Sequence, residues 1–373
     1  MNKRKMNQFI PVIIMTVLLY SGLVFYIGWR GYRWLRPTTS SRRFKIIYTV
    51  MIVLAATSFI LGRISRVKLL SIVGAYWMAC FYLLLMIVPL AHLTVILLRF
   101  TKLPRESTRK WAGSITLVLV VSFLGYGMYN AYNPVVHTYE IKMDKRDSSL
   151  NTLHIAIAAD THFGLLSDKN HAQRLVREMN KLGPDLILLP GDLLDDDVQP
   201  FIDQKIHEIL SNLQAPYGVY VSLGNHDRHN GTMEELIEAL EHGGIHVLYD
   251  EITEVQGQLT LIGRKDRMDS ERLSLERLME GVDRTKPTIL LEHQPYDLHI
   301  AQQAGIDLMV SGHTHGGQVF PGRLITSRLY ENHWGYLQKE KMHSIVTSGF
   351  GFWGPPIRIG TRSEIVSVKI QFQ

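Results

Sequence analysis

The sequence predicts two parts, an all-α transmembrane region of about four helices followed by an α/β domain. The long uncharged stretches lie almost entirely before residue 133, and apolar runs of about 20 residues are typical of membrane-spanning helices. From residue 153 onward, short apolar runs alternate with amphipathic stretches, which indicates buried strands joined by crossover helices. We therefore predict a membrane region over 1–135 and a folded domain over 150–373 of the 373 residues.

Four apolar runs are the candidate membrane spans, at 9–29, 45–62, 69–98 and 112–132. None of them contains Asp or Glu, so a plain anchor is favoured over a transport or proton-relay role, which needs charges inside the membrane. Basic residues precede the first run, as they do in a cleavable signal peptide. Because that run is long and three more follow, we favour a retained helix.

The loops between the runs differ in their number of basic residues, which predicts an orientation. The first and third loops hold eleven Lys and Arg, whereas the opposite side of the predicted membrane holds nine. Basic residues collect on the cytoplasmic side, so both chain ends are expected outside. This interpretation describes an integral membrane protein with its folded domain on the extracytoplasmic face.

Charge distribution argues against a nucleic-acid site in the domain, and cysteine content excludes disulfides and thiolate metal sites there. The net charge is +6, but many of the basic residues fall in the short loops of the membrane region. Because the domain has no basic stripe interleaved with aromatic residues, nucleic-acid binding is not expected. The single cysteine, Cys80, lies in an apolar run, so the domain has neither disulfides nor thiolate metal sites.

Nine apolar runs in the domain predict strands, and three amphipathic segments between the early ones predict helices. The strands are expected within 153–160, 185–192, 218–227, 246–251, 259–264, 288–295, 307–315, 344–350 and 364–372, and the helices near 168–182, 201–213 and 232–243.

Five polar residues stand at or just after the ends of predicted strands. They are Asp160, Asp192, Asn225, His293 and His313. The intervals between the first three are 32 and 33 residues, close to one strand–helix–strand unit each. Because the carboxyl ends of strands in an α/β sheet open onto one crevice, these side chains are expected to converge there.

The spacing of the donor residues predicts a metal site. Asp160 and His162 are two residues apart, as are His313 and His315, and in extended backbone such residues point the same way. The donor set is Asp160, His162, Asp192, Asn225, His293, His313 and His315. Seven donors exceed what one tetrahedral ion needs but suit two ions that share a carboxylate. Imidazole and carboxylate without sulfur favour Mn, Fe or Zn.

The ordered set D-T-H, G-D, G-N-H-D, a lone His and G-H-T-H resembles the calcineurin-like metallophosphoesterase family over about residues 150–373. The resemblance implies an α/β four-layer sandwich, two mixed β-sheets flanked by helices. The tail Gly316-Gly317-Gln318 is similar to the branch that contains small bacterial phosphodiesterases, including membrane-associated ones. Ser363 stands where relatives often have proline, but it lies outside the ligand set.

The resemblance also implies a role for each site residue. Asp160, His162 and His315 would hold one ion, Asn225, His293 and His313 the other, and Asp192 would bridge both. His226 would be the proton donor or transition-state contact, and Asp227 would orient it. The implied reaction is hydrolysis of a phosphodiester or phosphomonoester by a metal-activated hydroxide.

Two other motifs have competing interpretations. Residues 349–354 match G-x-G-x-x-G, but Pro355 and Pro356 follow where a dinucleotide site needs a helix. Residues 195–197 are three consecutive aspartates. A solvated loop near a helix start is favoured for them, and support of a metal ligand by Asp195 is the alternative.

Two functions from different classes remain open on the sequence. The complete ligand set and the presence of His226 favour a membrane-bound hydrolase, and a catalytically weak metal-binding sensor or scaffold is the alternative. A membrane anchor favours a lipid-linked or envelope phosphate ester among the substrates to consider. Five aromatic residues are candidates for an apolar rim, namely Phe320, Tyr330, Trp334, Phe352 and Trp353.

Overall fold

The structure is a computed structural model, which describes residues 3–35, 41–65, 67–144, 149–228 and 233–373. It divides into two units, Met1–Tyr126 and Gly127–Gln373. Four of the basic residues counted for the orientation, Arg36, Arg66, Lys145 and Arg146, lie outside the described residues.

The first unit consists of apolar helices, as predicted. They are α1 (Lys3–Leu35), α2 (Arg42–Ser65), α3 (Lys68–Leu97) and α4 (Arg105–Tyr132), of which α4 extends into the second unit. All four are long and apolar enough to cross a membrane. Small residues allow α2 and α3 to approach closely, because a Cβ on Gly74 would lie 2.5 Å from the Cα of Phe59.

The second unit contains twelve strands and seven helices among its described residues. The strands are β1 (Val135–Met143), β2 (Thr152–Ile157), β3 (Leu186–Pro190), β4 (Val219–Ser222), β5 (His246–Val247), β6 (Glu251–Val255), β7 (Leu259–Gly263), β8 (Thr288–Leu291), β9 (Leu308–Ser311), β10 (Gly335–Lys339), β11 (Met342–Val346) and β12 (Glu364–Phe372). The helices are α5 (Lys169–Leu182), α6 (Gln199–Asp203), α7 (Ile206–Leu210), α8 (Met233–His242), α9 (Leu275–Leu278), α10 (Leu298–Ala304) and α11 (Gly322–Leu329).

The strands form two six-stranded mixed sheets that pack face to face. Their orders are β1-β12-β2-β3-β4-β5 and β10-β11-β9-β8-β7-β6. One apolar cluster, which includes Ile155, Leu188, Leu261 and Val310, lies between the sheets. A second cluster packs the first sheet against α5, α7 and α8, and a third packs the second sheet against α9 and α10. The predicted four-layer sandwich is therefore confirmed.

The structure differs from the predicted elements mainly at the edges of the sheets. Strands β1, β6 and β10 were not predicted, and each lies at the end of its sheet. Residues of β6 and β10 are mostly exposed or half-buried, so these strands lack the continuous apolar run by which the buried strands were predicted. Strand β1 pairs only with β12, which is far away in the sequence. The helix predicted over 201–213 is two short helices, α6 and α7, separated where Lys205 adopts a left-handed conformation with φ 54°.

Candidate metal centre

Loops at the carboxyl ends of strands bring the predicted donors together. Asp160 and Asp192 follow β2 and β3 of the first sheet, and His293 and His313 follow β8 and β9 of the second. Asn225 follows β4. The two sheets therefore supply donors from opposite walls of one site.

Asp160, His162 and His315 form the first donor group. Each offers one ligand atom, and these atoms lie within 4.8 Å of one another. The Nε2 atoms of His162 and His315 are 3.2 Å apart, and His315 Nε2 is 3.7 Å from Asp160 Oδ1. All three residues are buried, so their polar atoms face each other rather than solvent.

Asp192, His293 and His313 form the second donor group, with ligand atoms again within 4.8 Å. His293 Nδ1 lies 2.9 Å from the carbonyl oxygen of Pro190. When Nδ1–H donates to that carbonyl, Nε2 of the neutral ring is left with a lone pair directed into the site. That Nε2 is 3.0 Å from Asp192 Oδ2.

Asp192, a member of the second donor group, also faces the first. Its Oδ2 is 3.0 Å from His293 Nε2 in the second group and 4.0 Å from His162 Nε2 in the first. Its Oδ1 accepts a hydrogen bond from the backbone N–H of His226 at 2.9 Å. One carboxylate oxygen therefore orients the side chain, and the other faces both groups.

Glycines leave the space that the two buried carboxylates occupy. A Cβ on Gly224 would lie 2.1 Å from Asp192 Oδ1, and a Cβ on Gly312 would lie 2.4 Å from Asp160 Oδ2. Both distances are far below van der Waals contact, so neither position accepts a larger residue without displacing the carboxylate. This close approach explains the glycines of G-N-H-D and G-H-T-H.

The backbone of the donor loops is left-handed, which corrects the expected extended geometry. Positive φ angles occur at Asp160 (51°), His162 (44°), Asp192 (54°), His313 (72°) and His315 (50°). Such angles are uncommon for residues other than glycine, and they cluster at functional sites. The paired donors at i and i+2 therefore converge through tight loops and not along extended strands.

The protonation of the histidines fits a metal site. Burial lowers the pKa of His162 to about 3 against the opposing charge of Asp192, and burial together with the charge of His293 lowers the pKa of His313 to about 4. Burial also lowers the pKa of His315 well below its usual value. Neutral imidazole is the form that binds metal.

His293 differs from the other histidines because of its short contact with Asp192. Burial lowers its pKa, but the carboxylate more than offsets that effect and raises the pKa to about 10. A proton and a metal ion would therefore compete for His293 Nε2.

Asn225 provides the clearest test of whether the residues fit a metal ion. Its Oδ1 is buried, and it has no hydrogen-bond partner among the described residues. A buried amide oxygen without a partner is costly unless something binds it. A divalent cation would satisfy this oxygen, and the chemistry of the seven residues, carboxylates, imidazoles and one amide, fits two such ions.

His226 lies beside the donor groups, and its partner differs from the predicted one. Its Nδ1 is 2.5 Å from Asp196 Oδ1, and its ring is 4.9 Å from that of His162. Burial lowers the pKa of His226, but the hydrogen bond and charge of Asp196 raise it to about 9. His226 therefore carries a proton near neutral pH.

The prediction that Asp227 orients His226 is wrong on these contacts. Asp227 Oδ1 and Oδ2 accept hydrogen bonds from the backbone N–H groups of Leu194 (2.9 Å) and Gly224 (2.8 Å). The carboxylate thus ties the loop after β3 to the loop after β4. The 195–197 loop fits both interpretations in part. Asp197 Oδ1 accepts a hydrogen bond from the backbone N–H of Gln199 at the start of α6, whereas Asp196 contacts His226 and Asp195 Oδ1 lies 3.9 Å from His162 Nδ1.

Sequence reasoning missed Arg358, a fully buried guanidinium behind the first donor group. It donates hydrogen bonds to the carbonyl oxygens of His315, Ser348 and Gly351, and its Nη2 is 3.2 Å from His315 Nδ1. It holds the 348–351 loop against the His315 backbone. No motif identified it, because its partners are backbone carbonyl groups, which every residue carries, and one of them belongs to His315, 43 residues away.

The five candidate rim residues do not share one environment. Phe352 is buried, and its ring packs 5.1 Å from that of Tyr132, so it is a core residue. Trp334 donates its Nε1–H to Glu364. Trp353, 50% exposed, lies 6.0 Å from the His226 ring, and Tyr330 lies 6.2 Å from the His313 ring. Phe320 is 53% exposed.

Comparison with known proteins identifies the family. The family model described as calcineurin-like phosphoesterase matches residues 153–317, which include every donor and His226. An uncharacterized metallophosphoesterase of Campylobacter jejuni is 30% identical over 268 residues, covering 69% of each chain. This chain belongs to the calcineurin-like metallophosphoesterase family.

One of two further relatives is described as a transmembrane protein. A zebrafish (Danio rerio) transmembrane protein with a metallophosphoesterase domain is 33% identical over 276 residues, which are 69% of this chain and 61% of that protein. The match therefore spans less than two thirds of the zebrafish protein. The metallophosphoesterase YkuE of Bacillus subtilis is 27% identical over 280 residues and is matched over 95% of its length. With four apolar helices of its own, this metallophosphoesterase is a membrane protein.

Proposed function

We propose that this metallophosphoesterase hydrolyses phosphodiesters with two divalent ions. Asp160, His162 and His315 would hold one ion, Asn225, His293 and His313 the other, and Asp192 would contact both. The position of Asp192 is the observation that carries this proposal, since its Oδ2 faces a histidine of each donor group at 3.0 and 4.0 Å. Nitrogen and oxygen donors without sulfur favour Mn, Fe or Zn.

The residues of the chain supply positioning and a proton. When bound, a pair of divalent ions lowers the pKa of a water molecule and neutralises the phosphoryl oxygens. His226 lies beside both donor groups, since one of its nitrogens is within 4.8 Å of the ligand atoms of His162 and Asp192. Its proton is therefore close to the place where the phosphate ester would bind. As hydroxide derived from water forms a bond to phosphorus, the bond from phosphorus to the leaving oxygen breaks, and His226 would donate its proton to that oxygen. Asp196 keeps the ring protonated and oriented.

Hydrolysis of a generic diester tests the proposal. The full-length chain in detergent, loaded with Mn, is expected to cleave bis-p-nitrophenyl phosphate, and Asp192→Asn is expected to lose activity by at least about a hundredfold. Asp203→Asn, on the exposed side of α6, is the matched control and should retain activity. Stoichiometric metal binding without hydrolysis by any divalent ion would refute the enzyme and support the metal-binding sensor or scaffold.

We also propose that the substrate is lipid-linked. The membrane region supports this, as do two aromatic residues near the centre, the exposed Trp353 beside His226 and the half-buried Tyr330 beside His313. Trp353→Ser should raise the KM for a long-chain lipid phosphodiester in vesicles while leaving the KM for bis-p-nitrophenyl phosphate unchanged. Equal changes for both substrates would argue against lipid recognition at this wall.

The proposed location is a bacterial plasma membrane with the domain on the extracytoplasmic face. The excess of basic residues in the first and third loops, eleven against nine, supports this orientation. A C-terminal alkaline phosphatase fusion, which is active only outside the cytoplasm, is expected to be active. Activity of a C-terminal β-galactosidase fusion instead would reverse the assignment.

A further inference from the structure

Helix α11 presents an apolar surface that the metal centre does not use. None of its residues is buried, and Leu324, Ile325 and Leu329 are 50%, 59% and 62% exposed. Phe320, just before the helix, is 53% exposed. A cluster of large exposed apolar side chains on one short segment is unusual for a protein surface, and it marks a contact with another apolar phase.

A hydrogen bond and close side-chain contacts connect this surface to the end of the candidate span α4 within the second unit. The backbone N–H of Phe320 donates to the carbonyl of Ile359. Ile359 and its neighbour Ile357 are contacts of Gly127, whose Cβ would lie 3.3 and 3.0 Å from their side chains. Gly127 belongs to the last turns of α4, which ends at Tyr132. The end of a membrane span lies at the bilayer surface. Phe320, at the start of the α11 surface, is linked to that end of α4 through Ile359 and Gly127.

Trp353 extends the same surface toward the metal centre. Its backbone N–H donates to Gln318 Oε1, and its carbonyl accepts from Gln318 Nε2, which joins the 351–357 loop to the segment that leads into α11. The Trp353 side chain is 50% exposed. Tryptophan with one exposed face is typical of the membrane–water interface, and this one stands beside His226.

The charges on α11 specify the kind of surface that it fits. The helix sequence GRLITSRL contains Arg323 and Arg328 and no acidic residue. The Arg323 guanidinium lies 4.9 Å from the centre of the Trp334 ring. Short amphipathic helices with apolar and basic side chains bind bilayers that contain anionic lipids.

We infer that α11, together with Phe320 and Trp353, docks into the headgroup region of an anionic bilayer. The apolar side chains enter the boundary between headgroups and acyl chains, and Arg323 and Arg328 contact lipid phosphates. This contact places the His226 side of the metal centre next to the membrane surface. The docking itself does not depend on hydrolysis, although it would explain how the centre reaches a lipid-linked ester.

Lipid-attached quenchers test the docking directly on the full chain. In a Cys80→Ser background, Ile325→Cys carries an environment-sensitive fluorophore, and Ile252→Cys on edge strand β6, 40% exposed, is the matched control. Both proteins are reconstituted in vesicles of phosphatidylcholine and phosphatidylglycerol with a spin-labelled lipid. Quenching at position 325 is expected to exceed that at position 252 several-fold. Equal quenching at the two positions would overturn the inference.

Removing the positive charges of α11 tests whether the surface that covers it is an anionic bilayer or something else. Arg323→Gln with Arg328→Gln should reduce quenching at position 325 in anionic vesicles, whereas Arg177→Gln with Arg277→Gln, two exposed arginines elsewhere, should not. Energy transfer between labels at position 325 on different copies, without lipid quenching, would show that a second copy covers α11 and would also overturn the inference. Neither readout needs the enzyme to be active, so failure of the proposed hydrolysis leaves this test intact.

Discussion

At the scale of single residues, the site depends on which carboxylate reaches which histidine. The motif G-N-H-D places Asp227 next to His226 in sequence, yet the side chain of Asp227 binds two backbone N–H groups. Asp196, thirty residues away along the chain, makes the contact with the ring. Adjacent residues in a tight loop point in different directions, so proximity in sequence does not establish a side-chain pair.

The two aspartates are therefore expected to differ in their effects on catalysis. Asp196→Asn should lower kcat by about tenfold to a hundredfold for a diester with an alkyl leaving group, because His226 loses the partner that keeps it protonated. The loss should be much smaller with p-nitrophenolate, which leaves without needing a proton. Asp227→Asn should instead lower the free energy of unfolding by about 1–3 kcal/mol, since one backbone N–H loses its acceptor. An equal loss of kcat for both leaving groups in Asp196→Asn would contradict this role.

His171 is a second residue whose surroundings produce a measurable effect. It is buried between the Phe350 and Phe352 rings, and burial, assisted by the charge of Arg174, lowers its pKa to about 3. The unfolded chain, with a histidine pKa near 6.5, binds this proton more readily. The folded state therefore loses stability as the pH falls below about 6.5, and the loss is complete near pH 3.

His171→Phe should remove this part of the pH dependence. Between pH 7.5 and pH 5 the wild-type chain should lose about 2 kcal/mol more unfolding free energy than the variant does. Phenylalanine keeps the ring packing, so the fold is expected to be retained. The measurement is urea unfolding of the detergent-solubilised chain at both pH values, with His242→Phe on the exposed end of α8 as the control. Parallel pH curves for His171→Phe and the wild type would refute the assignment.

At the scale of elements, the donor loops are short connections that force close packing at the strand ends. Five donors have positive φ angles, and two carboxylates lie against glycine backbone. Such backbone is unfavourable for the residues concerned by about 1–3 kcal/mol each, and the two packed sheets hold it in place. The loop backbone therefore fixes where the donor side chains lie.

Gly224→Ala tests this packing. Its Cβ would lie 2.1 Å from Asp192 Oδ1, so the carboxylate must move away from both donor groups. We expect metal affinity to fall by about tenfold to a hundredfold, as it does when groups that orient metal ligands are disturbed. Gly125→Ala in α4, where a Cβ meets nothing within 4 Å, should leave affinity unchanged. Calorimetric titration with Mn measures both, and an unchanged affinity in Gly224→Ala would show that the loop relaxes without cost.

At the scale of the whole molecule, metal binding should stabilise the domain because the donors come from both sheets. Asp160, Asp192 and Asn225 follow strands of the first sheet, and His293 and His313 follow strands of the second. An ion held by donors from two walls binds the folded chain and not the unfolded one. Binding energy therefore appears as unfolding free energy.

Metal removal is expected to lower stability by an amount set by affinity. At a metal concentration a hundred times Kd, each site contributes about 2.7 kcal/mol, so a chelator should lower the unfolding midpoint of the wild-type chain clearly. Asp192→Asn should be much less sensitive to the chelator, and Asp203→Asn should respond as the wild type does. Thermal unfolding with and without chelator provides the comparison. A chelator response in Asp192→Asn equal to that of the wild type would rule out Asp192 as a shared ligand.

The sequence by itself determined the division into apolar helices and an α/β domain, and the order of the donor motifs. Both are local properties, because the length of an apolar run and the alternation of strands and helices depend only on residues that are consecutive in the sequence. The glycine before Asp192, Asn225 and His313 was also visible. From these motifs the four-layer fold and the family could be predicted.

Only the tertiary structure decided the contacts between residues that are distant in sequence. The pairing of Asp196 with His226, the buried guanidinium of Arg358 and the edge strand β1 each depend on a partner brought close by folding. The apolar surface of α11 belongs to the same class, since the segment could equally have packed inward. A sequence lists such residues without saying which are buried, because burial and pairing are properties of the folded chain.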